Sequence, residues 1–503
     1  METEIEIKFF FNANFSEKLL DVITQHTVIS HKNQMLHNVY FETEGRDLRK
    51  MDMGLRVRRI DEQCTQTIKT SGRVIGGLHQ RPEYNEPIEG LQPELARFKS
   101  KIWPEDCDIN ELQKALKPLF STDFRRLHWL LEMQDGTLIE LAYDCGKIIA
   151  EQGESDICEI ELELVKGDEA QLFILAQDIA ALPSVRLGNV SKAQRGYMLI
   201  DNAKFEVKPI DFSALNTEMN IQQALSTNFQ HGLKHLQYHE NCYVDSGNFN
   251  ALVELQKGIM FLHQNIHLFK EGGISFTGCR WVNDLQWLAR SFSWVNQRLI
   301  LQNLLENKAY YLRKLPKLKQ LQKQIQLADQ ALPNEEDIFN LLHSSRYCNF
   351  VLGLTEWLIQ LEKTTLETQG ETSLLDFSKA ALDNCWAKLT QPLSVEGSLE
   401  LDNLLPHQGL LVSNLMTGLS LGHMFNETLC AEYRYPWLDI YQGTLELSML
   451  NTVSEFASDE TDTEVQEEYF KWVKRKQGSL LSAIEQSKQR ALSNEKYWID
   501  IEN

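Results

Sequence analysis

The chain has 503 residues, 43% hydrophobic and 9% aromatic, with 50 Lys and Arg against 71 Asp and Glu and a formal net charge of −21. That length predicts two domains rather than one core, the composition excludes a disordered chain, and the acidic balance argues against a nucleic-acid or anionic-membrane binder, which needs a basic surface. Nine cysteines without a C-x-x-C pair predict reduced thiols in a cytoplasmic protein, and no basic leader or apolar run of transmembrane length is present.

From residue 1 to about 200 the sequence reads as strands. TEIEIKFFF, MLHNVYFET, GLRVRRI, CTQTIKTS, QRPEYNEP, DFRRLHWLLEM, GTLIELAYD, GKIIAEQ and ICEIELELV all alternate polar and apolar residues, the period of a strand with two unlike faces. Asp135-Gly136, Gly76-Gly77 and Lys166-Gly167-Asp168 mark turns. Helical insertions are predicted near 16–26, 109–117, 168–181 and 191–201. Eight or nine antiparallel strands can close into a barrel, which removes exposed edges.

Charge repeats on one parity of these strands. EIEIK places Glu4, Glu6 and Lys8 on one face, with Ile5 and Ile7 on the other. Arg56 and Arg58 share a face in GLRVRR; Lys69 ends TIK; Glu83 lies in RPEYN; Glu140 and Asp144 lie in LIELAYD; Glu159, Glu161 and Glu163 form a row in EIELE. Arg125 and Arg126 are adjacent, so only one can join its strand's charged face. Lys192 and Arg195 follow in SKAQRGY, at the start of a predicted helix.

Each row alone fits a solvated strand face. Together they place acids and bases on different strands, and a merely wet face would mix in more Thr, Ser and Gln. If the apolar parity is covered from outside, the charged parity lines the interior, where packed charge is costly unless ions balance it. Arg and Lys suit phosphate oxygens, and carboxylates suit Mg²⁺ or Mn²⁺, which bridge to phosphate.

Beyond about residue 215 the apolar period becomes helical, as in ALVELQKGIMFLHQNIHLF and FNLLHSSRYCNFVLGLTEWLIQLEKT. DNAKFEVKPIDFSALN reads as a linker, and SDETDTE (458–464) as a solvated acidic connection. His231, His235 and His239 recur every four residues, a spacing that invites a metal reading but fits a helix-surface stripe better; Trp281, Trp287 and Trp294 read as core or interface packing. GRVIGG lacks the lysine-serine ending of a phosphate loop and fits a hairpin, and neither GxSxG nor HExxH occurs.

The ordered set EIEIK, GLRVRR, TIK, the later arginine and EIELE resembles the CYTH superfamily, the triphosphate tunnel metalloenzymes, over residues 1–200. GRVIGGLHQRPEYN and SKAQRGY narrow the resemblance to bacterial inorganic triphosphatases that join a CYTH domain to a CHAD domain. The fold this implies is an α+β N-terminal domain (1–202) with a closed eight-stranded antiparallel β-barrel, then a linker (203–217) and an all-α CHAD-like helical bundle (218–503). The implied reaction is hydrolysis of tripolyphosphate to pyrophosphate and phosphate with Mg²⁺ or Mn²⁺. By matching motifs, Lys8, Arg56, Arg58, Lys69, Arg126 and Lys192 would grip phosphates, Arg126 being preferred to Arg125 on its alignment with the family arginine. Glu4, Glu6 and carboxylates of the Glu159, Glu161, Glu163 row would hold metal, with Glu83 and Asp144 positioning metal, water or basic side chains.

Other enzymes of the superfamily hydrolyse thiamine triphosphate or other organic triphosphates, or cyclise ATP. The charged residues alone do not separate these, but GGLHQRPEYN favours the inorganic substrate. A phosphate-polymer binding module without turnover is the non-enzymatic alternative. In the helical half, LHSSRYCNFVLGLTEWL resembles a CHAD helix, whereas Ile266 replaces the arginine expected in FLHQNIHLFK. From residue 201 onward 26 Lys and Arg face 38 Asp and Glu, an unpromising balance for binding a long polyanion. This half is expected to be structural or to dock a protein or polyphosphate.

Overall fold

The computed structural model describes residues 2–306, 312–364, 372–394 and 404–499. It divides into two compact units, Met1–Glu206 with Phe339–Ile359, and Val207–Ile338 with Gln360–Asn503.

Alternation becomes a closed barrel in the first unit. Its strands are β1 (Glu2–Phe10), β2 (Thr27–Glu42), β3 (Gly54–Ile60), β4 (Gln63–Lys69), β5 (Arg73–Ile75), β6 (Leu78–Ile88), β7 (Lys117–Glu132), β8 (Leu138–Ala150), β9 (Gly153–Lys166) and β10 (Arg186–Leu187). The order is β10-β1-β9-β8-β7-β2-β3-β4-β6-β5, and an extra antiparallel β1–β6 pairing joins the ring. Eight strands therefore close into the expected antiparallel barrel, with β5 and β10 as short additions. GRVIGG is the predicted hairpin: β5 pairs with β6 across Gly76, whose φ of 56° suits glycine.

The apolar parity faces outward and is covered. Ile7, Phe9, Leu141, Ile160 and Leu162 are fully buried, and helix α4 (Glu169–Ala180), capped by the Asp168 side chain, packs on β9. On the β3–β4 side, Leu55, Val57 and Ile68 join Leu95, Phe98, Ile102, Trp103 and Leu112 in one apolar cluster. The last of these comes from α3 (Ile109–Ala115). The segment between β6 and β7 is thus a lid on the barrel's outer wall. The first insertion forms α1 (Ser16–Ile23), and a short α2 (Asp47–Lys50) precedes β3.

One end of the interior is filled by α5 (Lys192–Ile200). It packs on β7, β8 and β9 and joins a cluster of Leu36, Tyr40, Phe120, Phe124, Ile148 and Ile157 through Tyr197. Gly196 makes this approach possible, because a Cβ there would lie 2.2 Å from the Phe120 ring. Gly196→Ala is expected to destabilise the protein by about 1–3 kcal/mol through overpacking, read as a lower thermal midpoint; an unchanged midpoint would show that the end of the barrel yields freely.

The second unit is helical. Its described helices include α6 (Ile221–Ser246), α7 (Phe249–Glu271), α8 (Arg280–Ser291), α9 (Val295–Leu305), α10 (Leu318–Gln330) and α11 (Glu335–Leu342). The end of α11 and most of α12 (Ser345–Lys363) belong to the first unit, within Phe339–Ile359, and α13 (Leu374–Leu393), α14 (Gln408–Leu421), α15 (Glu427–Ser458) and α16 (Thr463–Ser493) follow in the second. No helix among the described residues is long and apolar enough to cross a membrane. The acidic connection at 458–464 lies between α15 and α16, where Glu460 and Asp462 pair with Lys317 at 3.1 and 3.2 Å.

The three histidines of α6 differ from expectation: they are packed rather than displayed on the helix surface. His239 is fully buried, His231 meets the Asp211 carbonyl at 2.9 Å, and His235 meets the Glu254 carbonyl at 3.1 Å. Their four-residue spacing serves α6–α7 packing and the segment before α6, which the periodicity of one helix cannot reveal. Trp281 is buried in the core and Trp294 is half-buried.

Candidate active site

Strand register decides which charges meet. Across β1 and β9, Glu6 lies opposite Glu163 and Lys8 opposite Glu161. Across β9 and β8, Glu163 faces Glu140 and Glu159 faces Asp144, and Asp144 in turn faces Arg126 on β7. Asn38 and Tyr40 on β2 face Arg58 and Arg56 on β3, and Lys69 on β4 faces Glu83 on β6. β6 completes the ring by setting His79 and Arg81 opposite Glu6 and Glu4. These residues share the inner parity, and most of them line a cavity of about 300 Å³.

One part of the wall is internally neutralised. Lys8 Nζ lies 2.6 Å from Glu161 and 3.5 Å from Glu159. Lys192, the first residue of α5 after the Ser191 cap, lies 2.7 Å from Asp144 and 3.0 Å from Glu161, and also bonds Glu159. The Arg126 guanidinium grips both oxygens of Asp144 at 2.7 Å and Glu161 at 2.6 Å. Asp144 and Glu159 are fully buried behind the cavity surface. Burial opposes ionisation of Asp144 and Glu161, yet these partners hold the Asp144 carboxyl below its ordinary range, and the Glu161 carboxyl well below. The same three carboxylates carry oxygens within 4.8 Å of one another, a spacing that could hold a metal ion. Here two ammonium groups and a guanidinium engage them, satisfying the requirement that buried charge be paired.

A second part of the wall is unbalanced in the positive sense. Arg58 has no carboxylate partner among the described residues; its Nε donates to Asn38 Oδ1 at 2.9 Å. Burial, then Arg56 and Arg126, push its pKa down to about 9. Arg56 has Glu83 at 3.6 Å, and Lys69 pairs with Glu83 at 2.9 Å and with Glu4. Against burial, Lys69 and Arg56 hold the Glu83 carboxyl at about 2. Glu83 thus fixes two cations that line the cavity.

A third part is unbalanced in the negative sense. Glu163 has no cationic partner among the described residues, and burial followed by Glu4, Glu140 and Glu6 raises it to about 8. Burial also lifts Glu4 to about 7, with Lys69 pulling against it and Glu6 adding to it. Glu140, beside them, is instead held below its ordinary range against burial by His128 at 3.2 Å; Glu163 and Glu4 are the raised pair. Carboxylates that raise one another's pKa in this way suit a bound cation, which would relieve burial and repulsion together. The donor set is all oxygen, as a hard divalent ion requires.

Every sequence-predicted site residue lies on the inner wall, though not in one role. Glu4, Glu6, Lys8, Arg56, Arg58, Lys69, Glu83, Arg126, Glu161, Glu163 and Lys192 line the cavity, whereas Asp144 and Glu159 stand behind it. Arg125 turns outward to Asn33, so the choice of Arg126 agrees with the observed parity. Arg195 reaches Ser155 and the Asp156 carbonyl rather than the cavity. Sequence reading did not assign roles to Glu140, His79, Arg81, Tyr40 and Thr67, which also line it. Even-numbered spacing along the strand marks them: Glu140 lies four residues before Asp144, and Arg81 and His79 lie two and four before Glu83.

Fold and site together define a closed tunnel with opposed charge poles, and residues 2–197 match the model of the family described as the CYTH domain. The likeness to the CYTH domain thus spans the whole barrel of the first unit. Over 200 residues the chain is 40% identical to an inorganic triphosphatase from Haemophilus influenzae. The match covers 40% of this chain and 55% of that protein, so the chain spans about half the length of this curated relative. Among solved structures, the CHAD domain from the plant Ricinus communis is 14% identical, with a TM-score of 0.45, covering 56% of this chain and 96% of that one. An adenylyl cyclase candidate from Hippeastrum, described as having a dominant triphosphatase activity, is 19% identical with a TM-score of 0.30, covering 40% and 96%.

Proposed function

We propose that the tunnel hydrolyses inorganic tripolyphosphate to pyrophosphate and phosphate with Mg²⁺ or Mn²⁺. The observation that carries this reading is the pair of opposed, unbalanced charge poles in one cavity, Arg58 beside Arg56 on one side and Glu163 beside Glu4 on the other. A ligand that is both polyanionic and able to bridge to a metal completes both. The relative that shares 40% identity over this domain supports the choice of substrate.

In this reading Arg56, Arg58, Lys69 and Arg126 take phosphate oxygens directly. Lys8 and Lys192, anchored by Asp144, Glu159 and Glu161, present ammonium donors to phosphate oxygens at the wall beside α5. Glu83 keeps Arg56 and Lys69 extended into the cavity. Glu4, Glu6 and Glu163, with Glu140 beside them and Glu161 at the edge of the row, would hold the divalent ion. When bound, that ion supplies charge neutralisation at the phosphoryl oxygens and eases deprotonation of water. Fixed cations stabilise the charge that spreads over the transferring phosphoryl group, and they need no reorganisation as it forms. For the helical unit we propose a structural or docking role, supported by its acidic balance.

Phosphate release from tripolyphosphate, ATP and thiamine triphosphate, each with Mg²⁺ or Mn²⁺, tests the assignment. Tripolyphosphate is expected to be preferred strongly, and EDTA to suppress release. Comparable rates on all three would defeat the narrow substrate, and tight binding without release would make the tunnel a capture module.

A further inference from the structure

Two of the nine cysteines lie directly across from each other in the tunnel wall. Cys145 on β8 is opposite Cys158 on β9, one residue from the Asp144 and Glu159 rung on the inner face. The Phe11 amide donates to the Cys158 carbonyl at 3.0 Å, so the backbone polar groups of Cys158 turn toward β1 and away from β8. Cys145 and Cys158 therefore form a non-hydrogen-bonded antiparallel pair, in which Cα atoms approach to about 4.5 Å and side chains sit closest. The Cys158 sulfur lies 3.8 Å from the Tyr143 hydroxyl, and Tyr143 shares the outward parity of Cys145. Both thiols thus point to the same outer face, where Cys145 is exposed and Cys158 is half-buried.

We propose that Cys145 and Cys158 are a redox-modification site, in which a peroxide converts the pair into a reversible cross-strand disulfide. The exposed Cys145 sulfur attacks hydrogen peroxide, forming a sulfenic acid and releasing water. The Cys158 sulfur then displaces the sulfenic oxygen as a second water, so two thiols lose two electrons and two protons to one peroxide. A Cα separation of about 4.5 Å sits at the short edge of the disulfide range of about 4.4–6.8 Å. A bond formed there is strained, which makes it the easily reduced kind. It would also alter the pleat next to the Asp144 and Glu159 rung, where Lys192 is held. Oxidation should therefore slow hydrolysis, a consequence that rests on the function proposed above, whereas the cross-link does not.

The test treats the full-length protein with hydrogen peroxide, digests it without reductant and maps peptides by mass spectrometry. A linked pair of peptides containing Cys145 and Cys158, lighter by two hydrogens and released by dithiothreitol, is expected. Tripolyphosphate hydrolysis should fall several-fold on oxidation and return on reduction, while Cys145→Ser and Cys158→Ser keep their activity through the treatment. Oxygen adducts on Cys145 with no link to Cys158 would overturn the site. A link that leaves hydrolysis unchanged would overturn its coupling to the tunnel. An untreated protein without hydrolysis would count against the function alone, because the peptide map is read independently.

Discussion

Arg58→Met should make the ligand-free protein more stable while it loses most of its hold on tripolyphosphate. In the free protein burial, together with repulsion from Arg56 and Arg126, brings the Arg58 pKa down to about 9. A base with a depressed folded pKa destabilises the folded state at neutral pH, where it stays charged. Removing the charge relieves that cost, offset by about 1 kcal/mol for the donor lost to the Asn38 carbonyl. A net gain of about 1–3 kcal/mol is expected, which raises the thermal midpoint by several degrees. Binding moves the other way, because a charge-assisted contact to phosphate contributes about 1.5–3 kcal/mol. That corresponds to about a tenfold to hundredfold rise in the tripolyphosphate concentration giving half the maximal rate. Calorimetric melting with and without tripolyphosphate, beside a rate titration, reads both. A lower midpoint together with unchanged activity would mean that Arg58 only supports the barrel.

Glu163→Gln should do the same at the negative pole, with a pH signature. The Glu163 carboxyl lies at about 8 in the folded protein against an ordinary value of 4.5. Between those values the folded state holds a proton that the unfolded chain has released, so stability falls as pH rises, by up to about 1.4 kcal/mol per unit for one group. Glu4, raised to about 7, adds to the slope in the lower part of the window. Glutamine removes the Glu163 share, so the variant's midpoint should exceed that of the wild type most clearly near pH 8. Saturating Mg²⁺ should flatten the wild-type slope, since a cation replaces the proton, and should do less for the variant. Metal-dependent hydrolysis should fall by about 10²-fold or more, the scale of losing one electrostatic contact in a preorganised site. A wild-type midpoint that is flat from pH 5 to 8 would remove the negative pole.

These two variants contrast with the neutralised part of the wall. Asp144 and Glu159 are fully buried and engaged by Arg126 and Lys192, so removing either strands a buried cation. A group whose loss raises stability and lowers activity belongs to a ligand site; one whose loss lowers both belongs to its scaffold.

Much of this was legible beforehand because strand parity is a local property. EIEIK, GLRVRR and EIELE each state which residues share a face, and the caps at Asp168 and Ser191 mark where α4 and α5 start. Parity does not say which of Arg125 and Arg126 turns inward; register against β2 and β8 does. Nor could alternation place Lys192, since it sits on a helix whose direction depends on Gly196 passing the Phe120 ring. The α6 histidines were misread for the same reason: one helix's periodicity does not reveal what packs beside it.

Alternation and composition need only neighbouring residues, so a strand-rich half with charge on one parity and a helical half with an acidic balance can be read from the amino-acid order alone. Which charges neutralise one another and which stay unbalanced is settled by the folded barrel. That depends on the register of eight strands around a ring closed between β1 and β6, and on the depth at which each carboxylate is removed from water.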